Sequence, residues 1–256
     1  MAKYAAKSKS QSPSRLERRA LRQQKRTDRQ NGNVIALDTP LARNVSRGES
    51  LNLRPVEFKT ASQQTYYQMI LEHDIVFGTG PAGTGKTHIP VDLAALMLME
   101  KKISKIIVSR PIPDEGLGYL PGTIEEKWQP YFRPLRQILL KRFGPSHLEN
   151  LIKNEQIEIA PIEYIRGNTF EDAFVILDEA QNCTPEQMKT FLTRLGRNST
   201  VVITGDDEQV DIKGKSGLPD ALERLSGVRG IAHFEFGIDD IVRHGLVREI
   251  ILRYRR

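Results

Sequence analysis

The chain has 256 residues, 39% hydrophobic and 27% charged, enough for one sizeable α/β domain or one domain with a small extension. Its single cysteine, Cys183, excludes an internal disulfide and fits a reducing cytoplasm, and its five histidines show no metal-ligand spacing, which argues against zinc. No apolar run approaches the ~18 residues of a membrane helix, and the basic N-terminus has no apolar stretch behind it, so neither a membrane partner nor a secretory signal is expected.

The net charge of +6 is uneven. Residues 1–60 carry 14 Lys+Arg against 5 Asp+Glu, a net +9, leaving the remaining 196 residues at −3. From Met1 to about Asn33 the chain is too polar to offset the entropy of ordering, so residues 1–56 are expected to be a basic, largely disordered arm and linker. Ser14–Arg29 could form a charged helix; the arm is either a solvated tail or a nucleic-acid-binding element.

Regular structure is predicted from Ser62, with a helix to Glu72 and a short apolar strand, Asp74–Phe77, that runs into glycines. A helix follows over Thr87–Glu100, then a buried strand at Lys105–Ser109 and a Gly/Pro loop from Pro111 to Gly122. The helix predicted from Thr123 to Phe143 should be bent or broken by Pro130 and Pro134. Further strands are predicted at Ile157–Ala160, Ala173–Leu177, Thr200–Thr204 and Ile231–Phe236. One more helix has legible ends, with Thr184 as N-cap, Pro185 at the first position, Gln187 completing a capping box and Gly196 as the stop. A turn at His244-Gly245 precedes a C-terminal helix. Strands alternating with helices argue a three-layer α/β fold with a mostly parallel sheet.

Gly80-Pro81-Ala82-Gly83-Thr84-Gly85-Lys86-Thr87 has the G-x-x-x-x-G-K-[ST] spacing between an apolar strand and a helix. Glycines let backbone N–H groups converge on phosphates, and a helix N-terminus adds partial positive charge. Lys86 would reach the terminal phosphates of ATP, and the Thr87 hydroxyl would bind Mg²⁺. Phe174–Leu177 is a buried strand that ends in Asp178-Glu179, where Asp178 suits Mg²⁺ and Glu179 suits polarisation of the attacking water. A second acid favours hydrolysis over transfer to a small acceptor. Val201–Thr204 ends likewise in Gly205-Asp206, with Gln209 placed to sense the γ-phosphate or orient water.

Together these segments resemble the PhoH-like family, whose core is similar to the first RecA-like domain of superfamily 1 helicases. The likeness spans residues 57–256 and includes Ser109-Arg110-Pro111, the Glu115–Gly122 loop, Asp178–Asn182, Gln187–Lys189 with Phe191–Arg194, Gly205-Asp206 with Gln209 and Asp211, and Asp240–His244. Asn168 stands where the family usually has a second arginine, which weakens a phosphate contact there. The resemblance implies that Gln63 recognises adenine, that Arg110 lies where nucleic acid is touched, and that Arg243 is an arginine finger. It also implies an RNA- or single-stranded-DNA-stimulated ATPase; a nucleotide-dependent assembly switch is the alternative. Because superfamily 1 helicases set ATP between two such domains, Arg243 is expected to reach a neighbouring subunit in a homo-oligomeric, hexameric ring.

Overall fold

The computed structural model describes residues 51–112, 124–165, 169–243 and 245–254. The basic arm to residue 50, the segments 113–123 and 166–168, and His244 lie outside these, so the expectations for the arm, for the Glu115–Gly122 loop and for Asn168 do too.

Six strands form one sheet in the order β3-β2-β4-β5-β1-β6, and every pairing is parallel. They are β1 (Ile75–Thr79), β2 (Lys105–Arg110), β3 (Ile157–Pro161), β4 (Ala173–Leu177), β5 (Thr200–Gly205) and β6 (Ile231–Glu235). The two central strands β4 and β5 are β-branched or aromatic along most of their length and buried on both faces, as parallel strands covered by helices must be. Alternation splits their side chains between two cores. Val76, Val108, Phe174, Ile176 and Val202 face α1 (Ala61–Glu72), α2 (His88–Met99), α3 (Ile124–Phe143) and α4 (Pro145–Lys153). Phe77, Ile107, Val175, Leu177 and Ile203 face α5 (Pro185–Leu192) and α6 (Gly217–Arg224). This is the expected three-layer α/β arrangement with a parallel sheet.

Register positions the site. Thr79 pairs with Gly205, Leu177 with Ile203, and Ser109 with Leu177. The C-terminal ends of β2, β4, β5 and β1 therefore lie side by side, and the residues that follow them share one edge of the sheet.

Several elements differ from the sequence expectation. The helix α3 runs unbroken through Pro130 and Pro134; both prolines are exposed, so the carbonyls they leave without a donor can turn to water. The short helix α4 was not expected; Gly144, at φ 74°, separates it from α3, and Pro145 opens it. The helix α6 was also missed, although Ser216 caps it by accepting from Leu218 N at 3.3 Å. The capping box of α5 is present, with Gln187 N donating to Thr184 Oγ1 at 3.2 Å and Thr184 N to Gln187 Oε1 at 2.9 Å. That helix ends at Leu192, before Gly196. Gly196 serves a close approach instead: a Cβ there would collide with the Phe170 carbonyl.

Residues 51–56, assigned to the linker from sequence, belong to the folded domain. Asn52 N donates to Arg142 O at 2.9 Å, and Arg142 Nη1 donates to the carbonyls of Asn52 and Arg54. Arg142 itself is buried in α3 against Asp92 of α2, with Nε 2.5 Å from Oδ1 and Nη2 2.5 Å from Oδ2. The C-terminal helix α7 (Gly245–Tyr254) follows as expected. Among the described residues no helix is long and apolar enough to cross a membrane.

Candidate active site

The loop Gly80–Thr87 joins β1 to α2. Gly80, Gly83 and Gly85 adopt φ of 124°, 90° and 95°, a region that side chains disfavour. Space is as restrictive as backbone shape. A Cβ at Gly80 would strike the Phe236 carbonyl, and one at Gly85 would come within 2.6 Å of Gln63 Nε2. The loop is tied to the sheet by Gly80 N, which donates to Gly205 O at 3.2 Å. Thr84 Oγ1 closes the turn by donating to Pro81 O at 3.1 Å.

Lys86 is buried and folds back over the loop, with Nζ 3.3 Å from Pro81 O. Burial lowers its pKa, while Asp206, Glu179 and Asp178 push it back up and Arg243 adds a further downward effect. A buried ammonium folded over a glycine-rich loop that leads into a helix fits a phosphate. Thr87 Oγ1 donates to Asp178 Oδ1 at 2.7 Å, so the two oxygens chosen for Mg²⁺ touch each other. Thr204 Oγ1 donates to the same oxygen, also at 2.7 Å. An oriented carboxylate beside a hydroxyl is a donor set that suits a hard divalent cation.

Glu179 has φ 52°, an uncommon conformation for a residue with a side chain, and it turns the chain from β4 into a short 3-10 turn, Ala180–Asn182. Its Oε1 lies 3.2 Å from Arg110 Nη2, and its Oε2 accepts from Gln181 Nε2 at 2.6 Å. Asp206 is buried, and burial raises its pKa against the opposing pull of Lys86 and of the Glu208 amide. Gln209 Nε2 donates to Asp206 Oδ2 at 2.8 Å, which joins the two predicted residues in one unit.

Two of the expected site residues have neighbours within their own chain that bear on their assignments. Gln63 is buried against the loop, where its Nε2 donates to Thr84 O at 2.8 Å and its Oε1 accepts from Lys59 N at 2.8 Å. That arrangement props the loop; adenine would have to share an amide already engaged at both ends. Arg243 lies against its own chain's loop. Val242 N donates to Gly83 O at 2.9 Å, and a Cβ on Gly83 would stand 2.7 Å from Arg243 Nε. The arginine thus reaches a phosphate loop without a neighbouring subunit.

The sequence reading missed Gln181 and Thr204 as site residues. Gln181 is buried and uses every part of its amide: Nε2 serves Glu179 and Gln209 O (3.2 Å), and Oε1 accepts from Asp206 N at 3.0 Å. It therefore connects the end of β4 to the end of β5. The only signal in sequence was its place inside the Asp178–Asn182 run.

Fold and site together define a P-loop nucleotide-binding protein: a glycine cradle, a buried lysine, and a hydroxyl–carboxylate pair at the C-terminal edge of a parallel sheet. The family profile described as PhoH-like protein matches residues 55–255, and the chain belongs to that family. It is 50% identical over 205 residues to a PhoH-like protein of Bacillus subtilis (strain 168), covering 78% of this chain and 64% of that one. It is 45% identical over 212 residues to Protein PhoH of Escherichia coli (strain K12), covering 80% and 60%. The chain thus spans less than two thirds of the length of these relatives. A solved Bacteroides Pif1 bound to ssDNA superposes at a TM-score of 0.32 with 20% identity, over 71% of this chain and 42% of that one, and the assignment does not rest on it.

Proposed function

We propose that this chain binds and hydrolyses ATP with Mg²⁺ and that single-stranded RNA or DNA stimulates the hydrolysis. The observation that carries the reading is the convergence of Lys86, Thr87, Asp178, Glu179 and Asp206 around one glycine cradle. The amides of residues 80–87 and the start of α2 receive the phosphates, and Lys86 supplies a full positive charge in a buried setting. Thr87 and Asp178 would hold Mg²⁺, which would supply positive charge against the phosphate oxygens. Glu179 orients and polarises the attacking water, while the Asp206–Gln209 unit holds a polar group near the reacting phosphate. Arg243, seated at Gly83, acts on the nucleotide of its own chain; an arginine in that role is worth about 10³–10⁵ in rate.

The 14 Lys+Arg among the first 60 residues attract a phosphate backbone with little sequence preference. A hexameric ring would gather several such arms. Sedimentation velocity with and without nucleotide measures the assembly.

The test is ATP hydrolysis by the purified chain with and without single-stranded RNA, beside Glu179→Gln and a deletion of residues 1–33. Stimulation that needs both Glu179 and the arm supports the reading. The engagement of both Glu179 oxygens favours one second reading, a slow nucleotide-dependent assembly switch. Hydrolysis indifferent to RNA would select it.

A further inference from the structure

The carboxylate assigned to water activation has no free oxygen. Glu179 Oε2 is taken by Gln181 at 2.6 Å and Oε1 by Arg110 Nη2 at 3.2 Å. The two partners differ in kind. Gln181 is 1% exposed and anchored at the other end of its amide by Asp206 N. Arg110 is 22% exposed at the edge of the sheet, held otherwise by a 2.9 Å bond from Nη1 to Tyr131 O and by Asp178 Oδ2 at 4.0 Å. One partner is permanent; the other can be reached by an anion from solvent.

A guanidinium that pairs with carboxylates through its planar fork binds a phosphodiester through the same geometry. We infer that Arg110 is a latch on Glu179. In the resting chain it holds the carboxylate away from the hydrolytic water, and a backbone phosphate of a single-stranded nucleic acid competes for the guanidinium and releases it. The inference rests on the hydrolysis reading above. No covalent bond changes in the release. The guanidinium exchanges one anion for another, so a small surplus of binding energy tips the balance. A polyanion presents many linked phosphates at high local concentration, which free phosphate does not. Arg110 is thus a positioning residue, acting on the reaction through Glu179.

The experiment is steady-state hydrolysis at saturating Mg-ATP, with and without poly(U), for the wild type, Arg110→Ala, Arg110→Lys and the double change Arg110→Ala/Glu179→Gln. Arg110→Ala is expected to hydrolyse about ten-fold faster without RNA, the worth of one charge-assisted hydrogen bond. Its KM for ATP stays unchanged, and poly(U) adds nothing further. Arg110→Lys, which keeps the charge but not the fork, falls between the two and retains partial stimulation. Adding Glu179→Gln removes the gain. A basal rate unchanged or lowered in Arg110→Ala, with fluorescent-nucleotide affinity intact, overturns the latch. So does stimulation that persists in that variant. A wild type indifferent to poly(U) while Arg110→Ala accelerates overturns release by nucleic acid and leaves the hydrolysis reading standing. Inactivity of all four proteins, with nucleotide bound, sinks that reading and the latch with it.

Discussion

Thr204 and Thr87 donate to the same atom, Asp178 Oδ1, each at 2.7 Å, from strand β5 and from the phosphate loop. Thr204 is fully buried and lies outside the set that the motif names. Its hydroxyl aims the carboxylate, so it acts behind the residues proposed to hold Mg²⁺. Thr204→Val keeps the shape and removes the donor. Mg²⁺ affinity, followed by titrating nucleotide binding, should weaken about 10–100-fold. Urea unfolding of the free protein should lose only about 1–2 kcal/mol. Equal losses in both measurements would instead make Thr204 a purely structural residue.

Lys86→Met should separate stability from activity. Burial is the largest influence on Lys86 and disfavours its charge, so the lysine costs stability when no phosphate is bound. Removing the charge is expected to raise the melting temperature of the nucleotide-free protein. The same change should lower hydrolysis by at least about 10²–10³-fold, as losing a preorganised donor does. A lowered melting temperature would contradict the argument.

Arg142→Ala removes one partner of a buried pair and leaves Asp92 uncompensated between α2 and α3. The expected loss is about 3–5 kcal/mol in denaturant unfolding. It also deprives the carbonyls of Asn52 and Arg54 of their donor, so limited proteolysis should cut near residues 51–54 faster than in the wild type. Survival of that segment at wild-type rates would show that the apolar contacts of Leu51 and Leu53 suffice to hold it.

His233 links the edge strand β6 to the residue before the phosphate loop, with Nε2 2.7 Å from Thr79 Oγ1. Burial lowers its pKa below the ordinary 6.5, against smaller upward pulls from Glu235 and Asp207. The folded chain therefore binds fewer protons here than the unfolded one, and this contribution to stability is lost as pH falls below 6.5. His88 is lowered by the same first cause and has the same sign. Asp206, raised by burial, has the opposite sign but acts nearer the carboxylate range. His233→Gln should remove part of the stability lost between about pH 7.5 and about pH 5, as read from urea midpoints at the two values. An unchanged pH dependence would place the titration elsewhere.

Local chemistry made much of this legible in advance. Strand β4 is five apolar residues ending in Asp178-Glu179, and α5 announces its start through Thr184, Pro185 and Gln187. The loop Gly80–Thr87 is recognisable because φ above zero demands glycine at set positions, whatever surrounds it. The helix α4 was missed because two helices joined by Gly144 look like one interrupted pattern. Pro130 and Pro134 misled in the opposite direction, since their cost depends on which side of the helix meets water.

By itself the sequence determined the kinds of groups available: the glycine cradle, Lys86, the acids after the strands, and the apolar runs that must be buried. Short-range sterics and periodicity suffice for those. Only the tertiary structure decided which of them meet. Strand order puts β5 between β1 and β4, so Thr204 comes to bear on Asp178, and β2 brings Arg110 to Glu179. It also lays Val242 on Gly83, carrying Arg243 to its own loop. Such contacts join residues 26 or more positions apart and depend on register and crossover, which no local pattern encodes.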